Sequence, residues 1–189
     1  MRKLISLMHV SLDGFCAGPQ GEMDWIGYDD TIFADATTLI HQAGAAVYGR
    51  VVHDMMRGYW PTLLDKSDSR PDSPQVQHAR WVEQIPKLTF SRSMQSSDWN
   101  NVQIRRDAKD ILQDKQQPGK DLLIFGSPRL VHAFLELDAI DEFWIFQNPV
   151  LLGAGIPYLR GAVKTRLKLA GHKPFDNGVI RLHYVKGDK

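Results

Sequence analysis

The segment "DLLIFGSPRLVHAFLEL", residues 121–137, determines the fold class because it contains a strand and the helix that follows it. The apolar run at 122–125 predicts a buried strand. Gly126 ends this run, and Pro128 stands where a first helical turn tolerates proline, since that turn leaves its amide hydrogens unpaired in any case. A strand that passes through a glycine directly into a helix is typical of an α/β domain.

A second junction of this kind lies in "VYGRVVHDMMRGYWP", residues 47–61, where a short apolar strand ends at Gly49 and a helical turn or two precede Pro61. Strand and helix patterns alternate along the chain. The segments 165–173 and 178–186 instead alternate in polarity like two antiparallel strands of a hairpin. We therefore predict an α/β sandwich of three layers, with a mostly parallel, twisted sheet, helices on both faces and a C-terminal antiparallel hairpin.

Composition narrows the class of protein. The chain has 189 residues, of which 43% are hydrophobic and 24% charged, which predicts one globular domain over residues 1–189. A net charge of +1 gives no overall field toward nucleic acid or a membrane surface, so a small ligand is the expected partner. The single cysteine and the absence of zinc-like Cys/His spacing predict no metal site. No apolar run approaches the ~20 residues that cross a bilayer, and a cytoplasmic location is expected.

The two glycine junctions are candidate phosphate sites. Helix N-termini present unpaired N–H groups and partial positive charge, and glycine lets the backbone approach a ligand closely. Two such junctions on one sheet would suit a dinucleotide. The chain contains neither GxGxxG nor GxxxxGK[ST], however, so spacing alone equally allows both glycines to serve as tight turns.

Four segments, in order, resemble the signature motifs of the dihydrofolate-reductase-like superfamily. They are "MRKLISLMHVSLDGFCAGPQGEMDW" (1–25), "VYGRVVHDMMRGYWP" (47–61), "LTFSRS" (88–93) and "LLIFGSPRLVHAFLELDAIDEFWIFQNPVLLGAGIPYL" (122–159). Within the superfamily, the chain is most similar to the C-terminal reductase domain of bacterial riboflavin-biosynthesis deaminase-reductases and to their free-standing relatives. The resemblance covers nearly the whole chain and implies the dihydrofolate-reductase-like version of the predicted fold.

This resemblance implies an NADPH site. The implied cofactor residues are Gly49 and Arg50 at the phosphates, Ser91 and Arg92 near the adenosine 2′-phosphate, and Gly126 and Ser127 at the pyrophosphate. A fork of N–H donors beside the 2′-phosphate would favour NADPH over NADH. The first loop, residues 11–25, is expected to be long and mobile and to cover the nicotinamide and the substrate.

The sequence departs from the family pattern at two positions. Relatives usually read GRxT at the first junction, and this chain has Val52 in place of the threonine, so one hydrogen bond to the cofactor is expected to be lost. At the second junction Ser127 replaces the second glycine found in dihydrofolate reductases. Serine at this position is common among the riboflavin-type relatives and therefore favours them.

Hydride transfer also needs a proton source for the substrate atom that gains negative charge. In dihydrofolate reductases an acidic residue of the first helix has this role. At about 100° per residue, Asp35 falls about 40° from Leu39, at the edge of the apolar face, whereas Asp30 projects to the opposite side. Asp35 is thus the predicted catalytic residue, although an ordinary exposed aspartate would fit the same pattern. Asp13 and Asp54 are the alternatives.

The expected function is an NADPH-dependent reductase that acts by direct hydride transfer and resembles 5-amino-6-(5-phosphoribosylamino)uracil reductase. A phosphate-bearing substrate should meet basic groups, and the sequence does not locate them. Reduction of dihydrofolate or another pterin is the enzymatic alternative. A catalytically weak nucleotide-binding dimer that acts as a sensor or stress factor is the alternative from another class. A homodimer is expected in each case, with residues 141–155 and the closing hairpin as the association surface.

Overall fold

Strands and helices alternate along most of the chain, and the computed structural model describes residues 1–65, 73–159 and 164–187. Within these ranges the strands are β1 (Leu4–Val10), β2 (Phe15–Ala17), β3 (Ala45–Gly49), β4 (Lys87–Phe90), β5 (Val102–Arg105), β6 (Leu122–Phe125), β7 (Glu142–Gln147), β8 (Ile156–Pro157), β9 (Leu167–Pro174) and β10 (Ile180–Lys186). The helices are α1 (Asp30–Ile40), α2 (Arg50–Asp65), α3 (Pro74–Gln84), α4 (Asp110–Gln116) and α5 (Pro128–Glu136).

Eight strands form one sheet in the order β5-β4-β3-β6-β1-β7-β10-β9. The strands from β5 to β7 are parallel, whereas β10 pairs antiparallel with both β7 and β9. The short strands β2 and β8 pair with each other outside this sheet. The prediction of a mostly parallel sheet that closes with an antiparallel hairpin is confirmed.

The sheet is covered on both faces, and β6 shows why its sequence is apolar at every position. Leu122 and Ile124 belong to one hydrophobic cluster, while Leu123 and Phe125 belong to the other. Alternate side chains of a strand point to opposite faces, so a strand covered on both sides needs a continuous apolar run. The helix α5 contributes to the first cluster, and α1, α2 and α3 contribute to the second.

The helix α2 is longer than the sequence predicted. The prediction of a turn or two before Pro61 is wrong, because α2 continues through Pro61 to Asp65. Val52, Met56 and Trp60 recur every four residues and pack against the hydrophobic cluster beneath the helix. This packed stripe outweighs the local cost of the proline.

Candidate active site

The sheet brings the predicted cofactor residues to a single edge. Gly49 ends β3, Ser91 follows β4 and Gly126 follows β6. These strands are parallel neighbours in the sheet, so their carboxyl ends lie side by side, and we call this side of the sheet the carboxyl edge. Open α/β sheets bind ligands at the carboxyl ends of their strands.

Ser127 joins the two glycine junctions. The Gly49 amide donates to Ser127 Oγ at 2.9 Å, and this hydroxyl donates to the Phe125 carbonyl at 3.0 Å. Ser127 is buried and has a φ of 55°, in the left-handed region that L residues rarely adopt. Its hydroxyl is therefore committed to the protein, and a bound pyrophosphate would meet the backbone around Ser127 rather than this side chain.

The glycines stand where the two junctions approach most closely. Gly126 has a φ of 54°, and a Cβ atom there would lie 3.3 Å from Val52 Cγ2. A Cβ atom at Gly49 would lie 3.4 Å from Ser127 Oγ. Val52, at the position of the expected threonine, thus packs half-buried against the second junction. The positive φ and the close Val52 contact explain Gly126, whereas a Cβ at Gly49 would make only an ordinary contact, and the first-turn amides of α2 and α5 lie at the carboxyl edge.

Two arginines supply positive charge beside these turns. Arg50 is exposed, donates from Nη1 to Ser93 Oγ at 3.0 Å, and has its Nε 3.6 Å from the Asp54 carboxylate. Arg92 is exposed on the same segment that follows β4. Ser91 Oγ accepts from the Met94 amide at 3.0 Å and so closes the turn that carries Arg92. The residues present suit an anionic, phosphate-bearing ligand.

The predicted proton donor Asp35 is more enclosed than its sequence position suggested. Its side chain is only 10% exposed, and its two oxygens accept from Lys173 Nζ, at 2.9 Å, and from Arg181. Each oxygen thus already accepts from a cationic side chain, and little of the carboxylate is open to a substrate. Lys173 and Arg181 face each other across β9 and β10 and were missed by the sequence reasoning. Their cross-strand pairing in the hairpin is the signal that could have identified them.

Asp13, the first alternative, holds the loop at residues 11–25 in place. Its carboxylate accepts from Ser11 Oγ at 2.6 Å and from the amides of Leu152 and Gly153 at 3.2 and 2.8 Å. The Ser11 hydrogen bond lowers the pKa of Asp13, which makes it a poor proton donor at neutral pH. The loop also contains the short strand β2, which pairs with β8, while most of the loop is irregular as expected and its mobility stays a prediction.

Asp54, the second alternative, lies on the first turn of α2. Its side chain is 53% exposed, and Oδ1 lies 2.9 Å from His53 Nδ1. Asp54 is close to Arg50 and hence to the predicted phosphate site. The described contacts therefore connect Asp54 to Arg50, one of the predicted cofactor residues.

His9 is a candidate site residue that the sequence reasoning passed over. It lies near the carboxyl end of β1 and stacks on Phe146, with the ring centroids 4.8 Å apart. Burial lowers the pKa of His9 to about 4, so the ring is neutral at pH 7. Its Nδ1 atom has no hydrogen-bond partner among the residues that the structure describes. His9 could have been recognised in the sequence, because it follows Ile5 and Leu7 on one face of β1 and is the polar residue on that face.

A groove of about 840 Å³ lies elsewhere on the molecule, between α4, β5 and the turn that precedes β6. Within it Arg105 donates twice to Asp114, at 2.9 and 2.7 Å, and this ion pair leaves neither partner free for a ligand. Gly44 and Pro86, at the amino ends of β3 and β4, also line it. The groove therefore does not coincide with the glycine junctions.

Neither a metal-binding cluster nor a membrane-spanning helix is present in the ranges 1–65, 73–159 and 164–187. No group of three or more histidine, cysteine, aspartate or glutamate side chains there is arranged to hold a metal ion. None of the helices in these ranges has the length and apolar character needed to cross a membrane.

The strand order and the paired glycine junctions define a dihydrofolate-reductase-like fold. A dihydrofolate reductase from Enterococcus faecalis, solved in complex with NADP(H) and RAB-propyl, matches with a TM-score of 0.64 at 13% identity, over 98% of this chain and 97% of that chain. A candidate riboflavin biosynthesis protein from Shewanella sp. PV-4 matches with a TM-score of 0.75 at 21% identity, over 98% of this chain and 99% of that chain.

The chain belongs to the RibD C-terminal domain family, whose sequence profile matches residues 2–181. The uncharacterized protein YyaP of Bacillus subtilis (strain 168) is 30% identical over 188 residues, which cover 97% of this chain and 94% of YyaP. The resemblance seen in the four sequence motifs is thus confirmed at the level of the family.

Proposed function

We propose that this protein is an NADPH-dependent reductase of the riboflavin-biosynthesis type. It transfers hydride directly to a small, nitrogen-containing substrate similar to 5-amino-6-(5-phosphoribosylamino)uracil, which also takes up one proton from solution as its ribosyl group is reduced to ribityl. The observation that carries the proposal is the hydrogen bond from the Gly49 amide to Ser127 Oγ, which joins the two glycine junctions at the carboxyl edge. Membership of the RibD C-terminal domain family supports the same class of reaction.

The residues at this edge fit the cofactor. The amides of the first turns of α2 and α5 would bind the pyrophosphate, with Arg50 beside them. Arg92 and Ser91 would meet the 2′-phosphate that distinguishes NADPH from NADH. When bound, NADPH supplies the hydride. Val52 offers no hydroxyl at the position where relatives have threonine, and the other donors have to hold the phosphate without it.

The remaining site residues bind and orient the substrate in this proposal. His9 stays neutral, and its buried Nδ1 bonds the heterocycle only once the neighbouring Tyr28 ring is displaced. The loop at 11–25, held by Asp13, covers the edge and excludes water from the reacting atoms. Asp35 holds Lys173 and Arg181 in position rather than donating a proton, because both of its oxygens are already engaged.

The basic groups that a phosphorylated substrate requires are found in the C-terminal hairpin. Lys173 and Arg181 share one carboxylate, that of Asp35, so this cluster retains one positive charge in excess. Lys173 is 44% exposed and can reach a ligand. This arrangement favours an anionic ribosylaminouracil. The same arrangement disfavours the pterin alternative. By resemblance, that reaction would need an acid on the first helix that is free to donate a proton, and Asp35 is engaged by Lys173 and Arg181.

Turnover tests this proposal directly. Purified protein is incubated with NADPH and one of three substrates, namely 5-amino-6-(5-phosphoribosylamino)uracil, its dephosphorylated form and dihydrofolate, while the loss of NADPH absorbance is followed. We expect turnover of the phosphorylated compound. Lys173→Met should raise its KM about tenfold with kcat nearly unchanged, because the lost contact is made equally in the ground and transition states. Lys168→Met, which removes an exposed lysine from the same strand, is the matched control.

The other outcomes favour the alternative functions. Turnover of dihydrofolate without turnover of the ribosylaminouracil would replace this proposal with the pterin reductase. Tight NADPH binding without turnover of any of the three compounds would favour the nucleotide-binding sensor or stress factor.

A further inference from the structure

Side chains from the first half of α2 hold the segment at residues 91–99 against the helix. The contacts join Arg50 to Ser93, His53 to Ser97 and Arg57 to Asp98. The three α2 residues are spaced by three and four positions and therefore lie on one face of the helix. The segment they contact begins with Ser91 and Arg92, the residues implied at the 2′-phosphate.

His53 is the buried member of these three contacts. Its side chain is 2% exposed, and its Nε2 lies 3.0 Å from Ser97 Oγ. Its Nδ1 lies 2.9 Å from Asp54 Oδ1, so both ring nitrogens are engaged. The ring also packs edge-on against Trp99, with the centroids 5.6 Å apart. His53 thus fixes both the hydrogen bonding and the packing of the segment on α2.

The order Ser97, His53, Asp54 resembles that of a hydrolytic triad, but its surroundings indicate a tether. Ser97 Oγ accepts from the Trp99 amide at 3.2 Å, which fixes the hydroxyl in a turn of the segment. Asp54 is more than half exposed and lies 3.6 Å from Arg50 Nε, so it is not a buried acid dedicated to the histidine. The contacts position the chain rather than activate a nucleophile.

We infer that His53 is a positioning residue that sets the preference for NADPH over NADH. This inference rests on the proposed function, because it needs the 2′-phosphate to bind at Ser91 and Arg92. A segment that is held in place before binding loses less conformational freedom when its arginine meets a phosphate. NADH lacks that phosphate, so loosening the segment weakens NADPH binding and leaves NADH binding almost unchanged.

The experiment compares the Kd values of both nucleotides, by calorimetry, for the wild type, His53→Gln, Ser97→Ala and Ser97→Thr. We expect His53→Gln and Ser97→Ala to raise the Kd for NADPH about tenfold and to change the Kd for NADH by less than about twofold. Ser97→Thr keeps the hydroxyl and should keep the wild-type ratio. Ser97 is only half-buried, so Ser97→Ala carries the test if His53→Gln does not fold.

His183→Gln is the control, because it removes a half-buried histidine, bound to Glu142 on β7, well outside the segment. It should leave the ratio of the two Kd values unchanged. An unchanged ratio in His53→Gln or Ser97→Ala, or equal weakening of both nucleotides, would overturn the inference while the proposed function stands. A wild-type protein that binds neither nucleotide would refute the proposed function, and the inference with it.

Discussion

Ser127 occupies a backbone conformation that costs L residues about 1–2 kcal/mol relative to glycine. The position offsets this cost through its hydroxyl, which bonds both the Gly49 amide and the Phe125 carbonyl. The side chain also fixes the separation of the two junctions that we assign to the cofactor. Ser127 therefore stabilises the two junctions whether or not a ligand is bound.

Two substitutions at Ser127 separate the strain from the hydrogen bonds. Ser127→Ala keeps the strained φ and loses both bonds, which should lower the free energy of unfolding by about 2 kcal/mol. Ser127→Gly loses the same bonds but relieves the strain, and it should be about 1 kcal/mol more stable than the alanine variant. Urea unfolding measures both differences. Equal stability of the two variants would contradict the assigned role of the φ angle.

Single residues also show where sequence reasoning ends. Gly49 and Gly126 were identified because a strand, a glycine and a helix are contiguous in the chain. The partners of Asp35 were not, because Lys173 and Arg181 lie 138 and 146 positions away. Helical periodicity places Asp35 at the edge of the apolar face and carries no information about which strand covers it.

At the scale of elements, the contact between α1, α2 and α3 is built from aromatic and histidine rings. His78 of α3 stacks on His41, with the centroids 5.6 Å apart, and meets Trp60 of α2 edge-on at 4.4 Å. Trp81, one turn further along α3, stacks on both histidines. In the part of the chain that the structure describes, His78 Nδ1 and His41 Nε2 are buried without a hydrogen-bond partner. A proton added to either of these nitrogens would find no hydrogen-bond acceptor among the described residues, so burial disfavours the charged rings.

This contact makes stability depend on pH. Burial, and then the neighbouring His41, lowers the pKa of His78 from 6.5 to about 3. Between these values the unfolded chain binds more protons than the folded one, so stability is complete above about pH 6.5 and falls as the pH decreases. At about pH 4.5 the loss from His78 should be about 3 kcal/mol.

Urea unfolding of the wild type and His78→Phe between about pH 7 and pH 4.5 measures this loss. Phenylalanine keeps an aromatic ring that does not titrate, so the variant should be at least as stable at pH 7 and should lose less stability on acidification. His9, whose pKa burial lowers to about 4, still titrates in the variant and accounts for a remaining slope. Identical pH profiles for the two proteins would contradict the assignment to His78.

At the scale of the whole molecule, alternation along the chain was enough to predict a mostly parallel sheet, but not the order of its strands. That order depends on pairings between distant segments, such as β1 with β6 and β7. The expected association surface, residues 141–155 and the closing hairpin, stays a prediction. The strand β7, within residues 141–155, lies between β1 and β10 and offers no free edge. The hairpin, in contrast, ends the sheet at β9.

We propose that β9 mediates a homodimer. It pairs with β10 on one side, its other side meets no strand among the described residues, and Leu167 and Leu169 are 38% and 47% exposed on it. An exposed edge strand is a template for pairing with a second chain. Size-exclusion chromatography with light scattering should give the mass of a dimer, and Leu169→Lys should shift it to a monomer. A monomeric wild type would refute the proposal.

Calorimetric titration of NADPH and NADH shows whether the joined glycine junctions form an NADPH site. We expect micromolar binding of NADPH and weaker binding of NADH. Arg50→Ala should raise the Kd for NADPH at least about tenfold, or 1.4 kcal/mol, while Arg80→Ala, which removes an exposed arginine from α3, should not change it. Binding of neither nucleotide to the wild-type protein would contradict the account and leave the two glycines as turns alone.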